Sequence, residues 1–274
     1  MSTYLQRHIA LPTDHGSWVF ILSPLLIGIF TSAVWTRATT FLVIAVMAAF
    51  LIRQPITIAT KAYSGRRSRR DLPAARFWII VYSLPILLAT LSLIRLGYAY
   101  ILILAIPGIP VFIWHLYLVS KRQERKKPGI EIIGSGVLAL SAPAAYWVGV
   151  GTAEPIGWWL FLLTWLQSAA SIVYAYLRLA QRDLVQLPPV RERLKMARRA
   201  LLYTSFNFLF AALLAWTAVL PALIWLPFGI QWLESLWGSY HPAIGVKPTR
   251  IGIRQLIVST IFTLTFILTW HLPG

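Results

Sequence analysis

Nine stretches of 18 to 23 mostly apolar residues succeed one another along the chain, at positions 17–35, 39–58, 76–94, 98–119, 131–149, 155–177, 200–217, 219–236 and 253–272. Each matches the length a helix needs to cross a hydrocarbon core about 30 Å thick, roughly 20 residues at the helical rise. Between the seventh and eighth stretches no charge intervenes, and Pro221 supplies the break, since a proline ring cannot continue a helix through its own position. The rest of the sequence leaves no other solution. Of 274 residues 58% are hydrophobic and 12% charged, against about 25% charged in a soluble domain, and the mean hydropathy is +0.70. Too few polar side chains remain to coat a water-facing surface. The chain therefore reads as an all-α polytopic transmembrane helical bundle, one transmembrane domain over 1–274, with the lipid bilayer as its first partner.

Lysine and arginine orient the helices, because basic loops stay on the cytoplasmic side. In the nine-span plan 23 of the 25 Lys and Arg fall on one side of the membrane, and only Arg37 and Arg95 on the other. That asymmetry predicts the N-terminus inside and the C-terminus outside. The net charge of +17 then has a membrane explanation, orientation and attraction to anionic headgroups, and calls for no nucleic acid. The first twelve residues carry Arg7 as their one formal positive charge, and the apolar run after them has no small-residue cleavage site before Trp35, so this segment reads as a permanent span. Trp35, Trp147, Trp158, Trp159, Trp216 and Trp237 stand near span ends, where amphipathic rings anchor at headgroup level. Small residues in the fifth span (Gly134, Ser135, Gly136, Ala144, Ala145) and sixth (168–171) place these two helices in the bundle interior.

Chemistry is less legible. The sequence has no cysteine, hence no disulfide, thiolate nucleophile or Cys-ligated metal. His8, His115, His241 and His271 are scattered and form no ligand pair, and no phosphate-loop, dinucleotide or nucleophile-elbow motif occurs. No metal and no cofactor is expected. Gln167 and Asn207 fall mid-span, where interhelical hydrogen bonds are their ordinary use. Glu131 opens the fifth span as a cap or as an ion-pair partner of Lys126 or Lys127.

The run Leu11-Pro12-Thr13-Asp14-His15-Gly16-Ser17-Trp18, followed by Ser23-Pro24-Leu25-Leu26-Ile27-Gly28, resembles the opening signature of the YwiC-like bacterial membrane proteins. Arg53-Gln54-Pro55, Tyr174-x-Tyr176-x-Arg178 and Pro248-x-Arg250-x-Gly252 are further matches in kind. The resemblance implies a multi-pass protein of the bacterial inner membrane and no particular activity. The plan is more distantly similar to that of the UbiA-type prenyltransferases, which also have nine spans and place catalytic loops after the second and sixth. This chain departs from them by having no Asp or Glu between Gly28 and Arg70, so a metal-held diphosphate is not implied.

At the corresponding helix ends stand Arg53, Thr57 and Lys61, then Tyr174, Arg178 and Arg182, each trio on one helical face at steps of four. Two readings follow. The clusters converge on one cytosol-facing cavity that holds an anionic headgroup through arginine forks, with Arg178 the leading residue and Arg178→Ala expected to spare the fold. Alternatively, they are cations finishing helix C-termini. In the opening motif, Asp14 and His15 form a proton-relay pair or a cap, and Gly16 permits close backbone approach. The function expected is binding or processing of an anionic amphiphile, an isoprenoid or lipid phosphate. Its competitors are a small-molecule or anion transporter and a non-catalytic membrane partner. A topology reporter fused after Gly274 is expected to be active only outside the cytoplasm; activity inside would mean an even number of spans.

Overall fold

The computed structural model describes residues 4–12, 15–123 and 127–272, and every regular element among them is helical. After the short α1 (Arg7–Ala10) come α2 (His15–Ser32), α3 (Arg37–Tyr63), α4 (Leu72–Arg95), α5 (Ala105–Ser120), α6 (Pro128–Ala139), α7 (Ser141–Val150), α8 (Pro155–Arg182), α9 (Val190–Trp216), α10 (Trp225–Tyr240) and α11 (Pro248–His271). A six-residue 3₁₀ segment, Ala99–Leu104, leads into α5. Away from water each backbone amide must be satisfied within its own segment, which leaves helices as the solution for these sequences. Proline at the first turn starts α4, α6, α8 and α11, where its missing N–H costs nothing. Left-handed residues just past the ends, Ala33, Arg122 and Ala218 among them, turn the chain back.

Among the described residues seven helical segments are long and apolar enough to cross a membrane. The two other apolar stretches also fold as helices but are shorter: α2, and α10 with 16 residues. The eighth stretch starts at Trp225 instead of 219, because Ala218 in the left-handed region and Pro221 keep the chain in turns up to Ile224. Several helices run past the apolar limits at their basic ends. α9 begins at Val190, ten residues early, and α8 continues to Arg182, since Arg and Lys are good helix formers whose stems cover apolar surface while the charges reach water. The fifth stretch is divided at Leu140 into α6 and α7. Pro143 cannot donate to the carbonyl of Ala139, and the turn tightens to a Leu140 N–H bond with the Val137 carbonyl (3.3 Å).

Interhelical bonds fix the relative directions. α2 and α11 run parallel, with Ser23 against Thr263 (2.5 Å) and His271 Nε2 donating to the Phe30 carbonyl (2.7 Å). α8 runs opposite to α11, Ser171 meeting Gln255 and Gln167 meeting Ser259, and parallel to α10, Gln231 meeting the Gln167 carbonyl and Arg178 that of Gly238. α2 and α7 are parallel, Gly28 lying on Ala142 and Gly149 on Ser32. So α2, α7 and α11 run one way and α8 and α10 the other. At the basic end Arg66 reaches the Val119 carbonyl, and Arg193 that of Tyr240. At the other, Tyr100 donates to the Trp147 carbonyl and Trp147 to that of Glu154.

The fifth and sixth passes are the interior ones, with 67% of each apolar window buried against 17% for the third and fourth. Trp147, read as a headgroup anchor, is instead 1% exposed and packs against Gly157; Trp35 and Trp216 are exposed as anchors should be. The α2–α7 contact sets the core, because a Cβ on Gly28 would overlap the Ala142 carbonyl oxygen and press on Ala145 at 2.8 Å. Gly28→Ala is expected to destabilise by about 1–3 kcal/mol, lowering the thermal midpoint of the purified protein. Gly16→Ala, with open space at its Cβ, is the neutral control.

Candidate functional site

At the basic end, α8, α10 and α11 enclose a cavity of about 310 Å³ lined by Arg178, Trp237, His241, Arg250, Arg254 and Gln255, with the connection between α10 and α11 as its floor. The sequence positions these groups by helical spacing. Tyr174, Arg178 and Gln181 share one buried stripe of α8, Glu234 and Gly238 stand one turn apart on α10, and Arg250 and Arg254 one turn apart on α11.

Arg178 is 6% exposed. Its Nη1 donates to the carbonyls of Gly238 (2.8 Å) and His241 (2.7 Å) and to Gln181 Oε1 (2.9 Å). Gln181 Nε2 shares the Gly238 carbonyl at 3.1 Å, and Arg193 donates to that of Tyr240 at 2.6 Å. The last carbonyls of α10, which have no partner within their own helix, are thus closed by cations from α8 and α9, where the helix dipole also favours positive charge. So Arg178 does finish a helix C-terminus, but that of α10 and not its own. Among the described residues its hydrogen bonds all leave from Nη1, so Nε and Nη2 are free to serve the cavity.

A second fork lies beside it. Arg254 pairs with Glu234 through both arms, Nε to Oε1 at 2.6 Å and Nη2 to Oε2 at 2.8 Å, the bidentate geometry in which arginine excels. Tyr174 O–H donates to the same carboxylate at 3.0 Å. Trp237 is flanked by two guanidinium groups, Arg254 at 3.8 Å and Arg178 at 5.7 Å from the ring centre, so its π-face carries part of the charge. Three arginines face the cavity and one carboxylate, already committed, offsets them. The arrangement can hold an anion through charge-assisted hydrogen bonds. Among the described residues no group of three His, Asp or Glu could hold a metal.

The residues singled out from sequence divide into two groups. Tyr174 and Arg178 belong to this cavity. Arg182 stands at its edge, accepting from Gly245 N–H through its carbonyl and paired with Asp183 at 3.2 Å. Arg53 and Lys61 do not line the cavity. α2 and α7 each pack against both α3 and α8 and stand between them. The expected convergence of the second and sixth span ends therefore gives way to a convergence of the sixth, eighth and ninth passes. Arg53 instead lies over Phe50 (5.2 Å), whose ring meets Trp18 edge-on at 5.1 Å, so the opening motif and the end of the second span form a neighbourhood of their own. Asp14 lies outside the described residues, and His15 opens α2. Gly16 is exposed, and a Cβ there would meet open space among the described residues. Glu131 stands in the first turn of α6 and accepts from Tyr176 O–H at 2.6 Å; Lys126, one of the lysines expected beside it, lies outside the described residues. Asn207 donates to the Leu166 carbonyl (2.8 Å), as a mid-span amide should. Glu234, Arg254 and Arg250 went unread as a site. For Glu234 and Arg254 the available signal was charge inside the eighth and ninth apolar stretches, where ionisable groups are costly and functional by default.

Comparison with known proteins places the first half of the chain. Residues 11–146 match the model of the YwiC-like proteins. A relative described as "Uncharacterized protein YwiC", from Bacillus subtilis (strain 168), is 23% identical over 238 residues, covering 81% of this chain and 87% of that protein. No solved structure matches the chain. The family match ends at Tyr146, before α8, so the cavity lies beyond the matched residues. Its internal wiring is testable directly. Glu234→Gln and Arg254→Gln are each expected to cost about 2 kcal/mol, with a double-mutant coupling of about 0.5–3 kcal/mol in the thermal or denaturant unfolding of the detergent-solubilised protein.

Proposed function

Because the chain belongs to the YwiC-like family, whose matched relative is bacterial, we propose that it sits in the bacterial inner membrane as nine passes, N-terminus in and C-terminus out, and binds the anionic head of an amphiphile at the cytoplasmic side. The directions of α2, α7 and α11, opposite to those of α8 and α10, support the nine passes, α6 and α7 counting as one. The observation that carries the binding is the trio Arg178, Arg250 and Arg254 around a cavity beside which Glu234 is already paired with Arg254. A volume of about 310 Å³ stands at the small end of ligand sites, right for a phosphate or diphosphate group. Exposed apolar surface at Ile253, 58% accessible, adjoins Arg254 in sequence and gives an acyl or isoprenoid chain a way out to the bilayer. The same forks would take a free phosphate, so the binding experiment separates the two sources.

Arg178 is too deeply engaged in closing α10 to be a clean probe, contrary to the expectation from sequence. Arg250, exposed and on the first turn of α11, is the better one. An isoprenyl diphosphate or phosphatidic acid added without Mg²⁺ at about 100 times its dissociation constant should stabilise by about 2.7 kcal/mol, a rise of about 5–10 °C in the thermal midpoint. Arg250→Ala should remove most of that rise and leave the unliganded midpoint unchanged. An equal rise with inorganic phosphate alone would assign the site to a free anion. No response to any phosphate would overturn the reading.

A further inference from the structure

The arginine cavity does not end at its floor. On α8 the buried stripe continues inward from Arg178 through Ser171, Ser168 and Gln167 to Thr164, so polar side chains from Gln181 to Thr164 cover about 25 Å of helix, most of a hydrocarbon thickness. α11 answers with Gln255, Ser259 and Thr263, four residues apart on one face, and Gln255 itself lines the cavity. The two stripes meet through side chains: Ser171 donates to Gln255 at 3.1 Å, and Gln167 Nε2 to Ser259 at 3.5 Å, the outer limit of a hydrogen bond. α10 adds Gln231, which donates to the Gln167 carbonyl at 3.0 Å, and one turn on, Ser235.

A seam that serves only to hold helices together should have its polar atoms paired, since no water reaches them. Here two are not. Among the described residues Gln231 Oε1 and Ser235 Oγ have no partner and are shut away from solvent, on residues 7% and 1% exposed. Nothing in the seam carries charge, so it is suited to water and to neutral hydroxyl or amide groups. It is closed on the far side by Phe228 edge-on against Phe262 (5.0 Å), with Phe266 behind (5.9 Å).

We propose that this seam is a water path: α8 and α11 part from the cavity side, and water with small hydrophilic solutes reaches the level of Thr263, where the phenylalanines stop it. The inference rests on the position of the cavity and on the two unpartnered atoms, and stands whether or not the occupant of the cavity is an anion.

The absence of cysteine from the sequence makes the test direct. Gln255→Cys, Ser259→Cys and Thr263→Cys are made singly and exposed in native membranes to a small, uncharged, hydrophilic thiol reagent that does not cross the membrane, added on the side of the basic loops. Ile257→Cys and Ile261→Cys, on the exposed face of α11, are the controls. Modification at Ser259→Cys and Thr263→Cys should be at least about tenfold faster than at the controls, because a thiol away from water is not ionised and does not react. Ser168→Cys and Ser171→Cys, across the seam on α8, repeat the measurement should an α11 variant fail to fold. No modification at either level of the seam, with the protein folded, overturns the path whatever Gln255→Cys does. Shielding of Gln255→Cys by inorganic phosphate reads the anion site separately, and its loss would remove the anion without touching the path.

Discussion

The closing of α10 by Arg178, Gln181 and Arg193 is the interaction on which the second half of the bundle depends. A helix leaves its last carbonyls without partners of its own, and those of α10, a helix of 16 residues, face α8 and α9. Two guanidinium groups and an amide from neighbouring helices meet those carbonyls. Once α10 is held there, Glu234 is presented to Tyr174 and Arg254, Trp237 lies between two cations, and the connection to α11 is forced to fold back as the floor of a cavity. The basic residues that the sequence groups at one end of the bundle thus also build a polar interior site.

The membrane architecture could be read from the sequence because one physical constraint dominates it. Apolar length, basic-loop alternation and the proline between the seventh and eighth stretches all report on the same bilayer, and the helices fall where those signals place them. The interior position of the fifth and sixth passes was legible for a similar reason, since small residues are retained where backbones approach, as Gly28 against Ala142 and Gly136 against Trp165 illustrate. Helix ends were less legible. Nothing in hydropathy says that a basic segment such as 190–199 will continue as helix beyond the apolar limit.

The site was half legible. Steps of four along α8 picked out Tyr174 and Arg178, which share one buried face beside the cavity, while the same steps along α3 picked out Arg53 and Lys61, which do not line it. Periodicity reports which residues share a face of one helix and is silent on which helices face each other. That pairing is decided by packing over long sequence separations, as between Arg178 and His241 or Glu234 and Arg254, and a single sequence carries no record of it. Trp147 and Trp237 show the same limit: composition assigns both to the interface, while tertiary packing buries one and sets the other beneath guanidinium groups.

Arg178 occupies two roles with one side chain, and this ties the cavity to the architecture of the bundle. Its Nη1 holds the end of α10 while the residue also lines the cavity, so docking of the helix and the proposed hold on an anion would share a single guanidinium. A negative charge held there as proposed would draw on the same group that docks α10 against α8, and the free energies of occupancy and of docking would be coupled. Coupling of this kind is reciprocal by thermodynamic necessity. Whatever loosens the attachment of α10 alters affinity in the cavity, and whatever fills the cavity alters how firmly α10 is attached, with no separate relay needed between them.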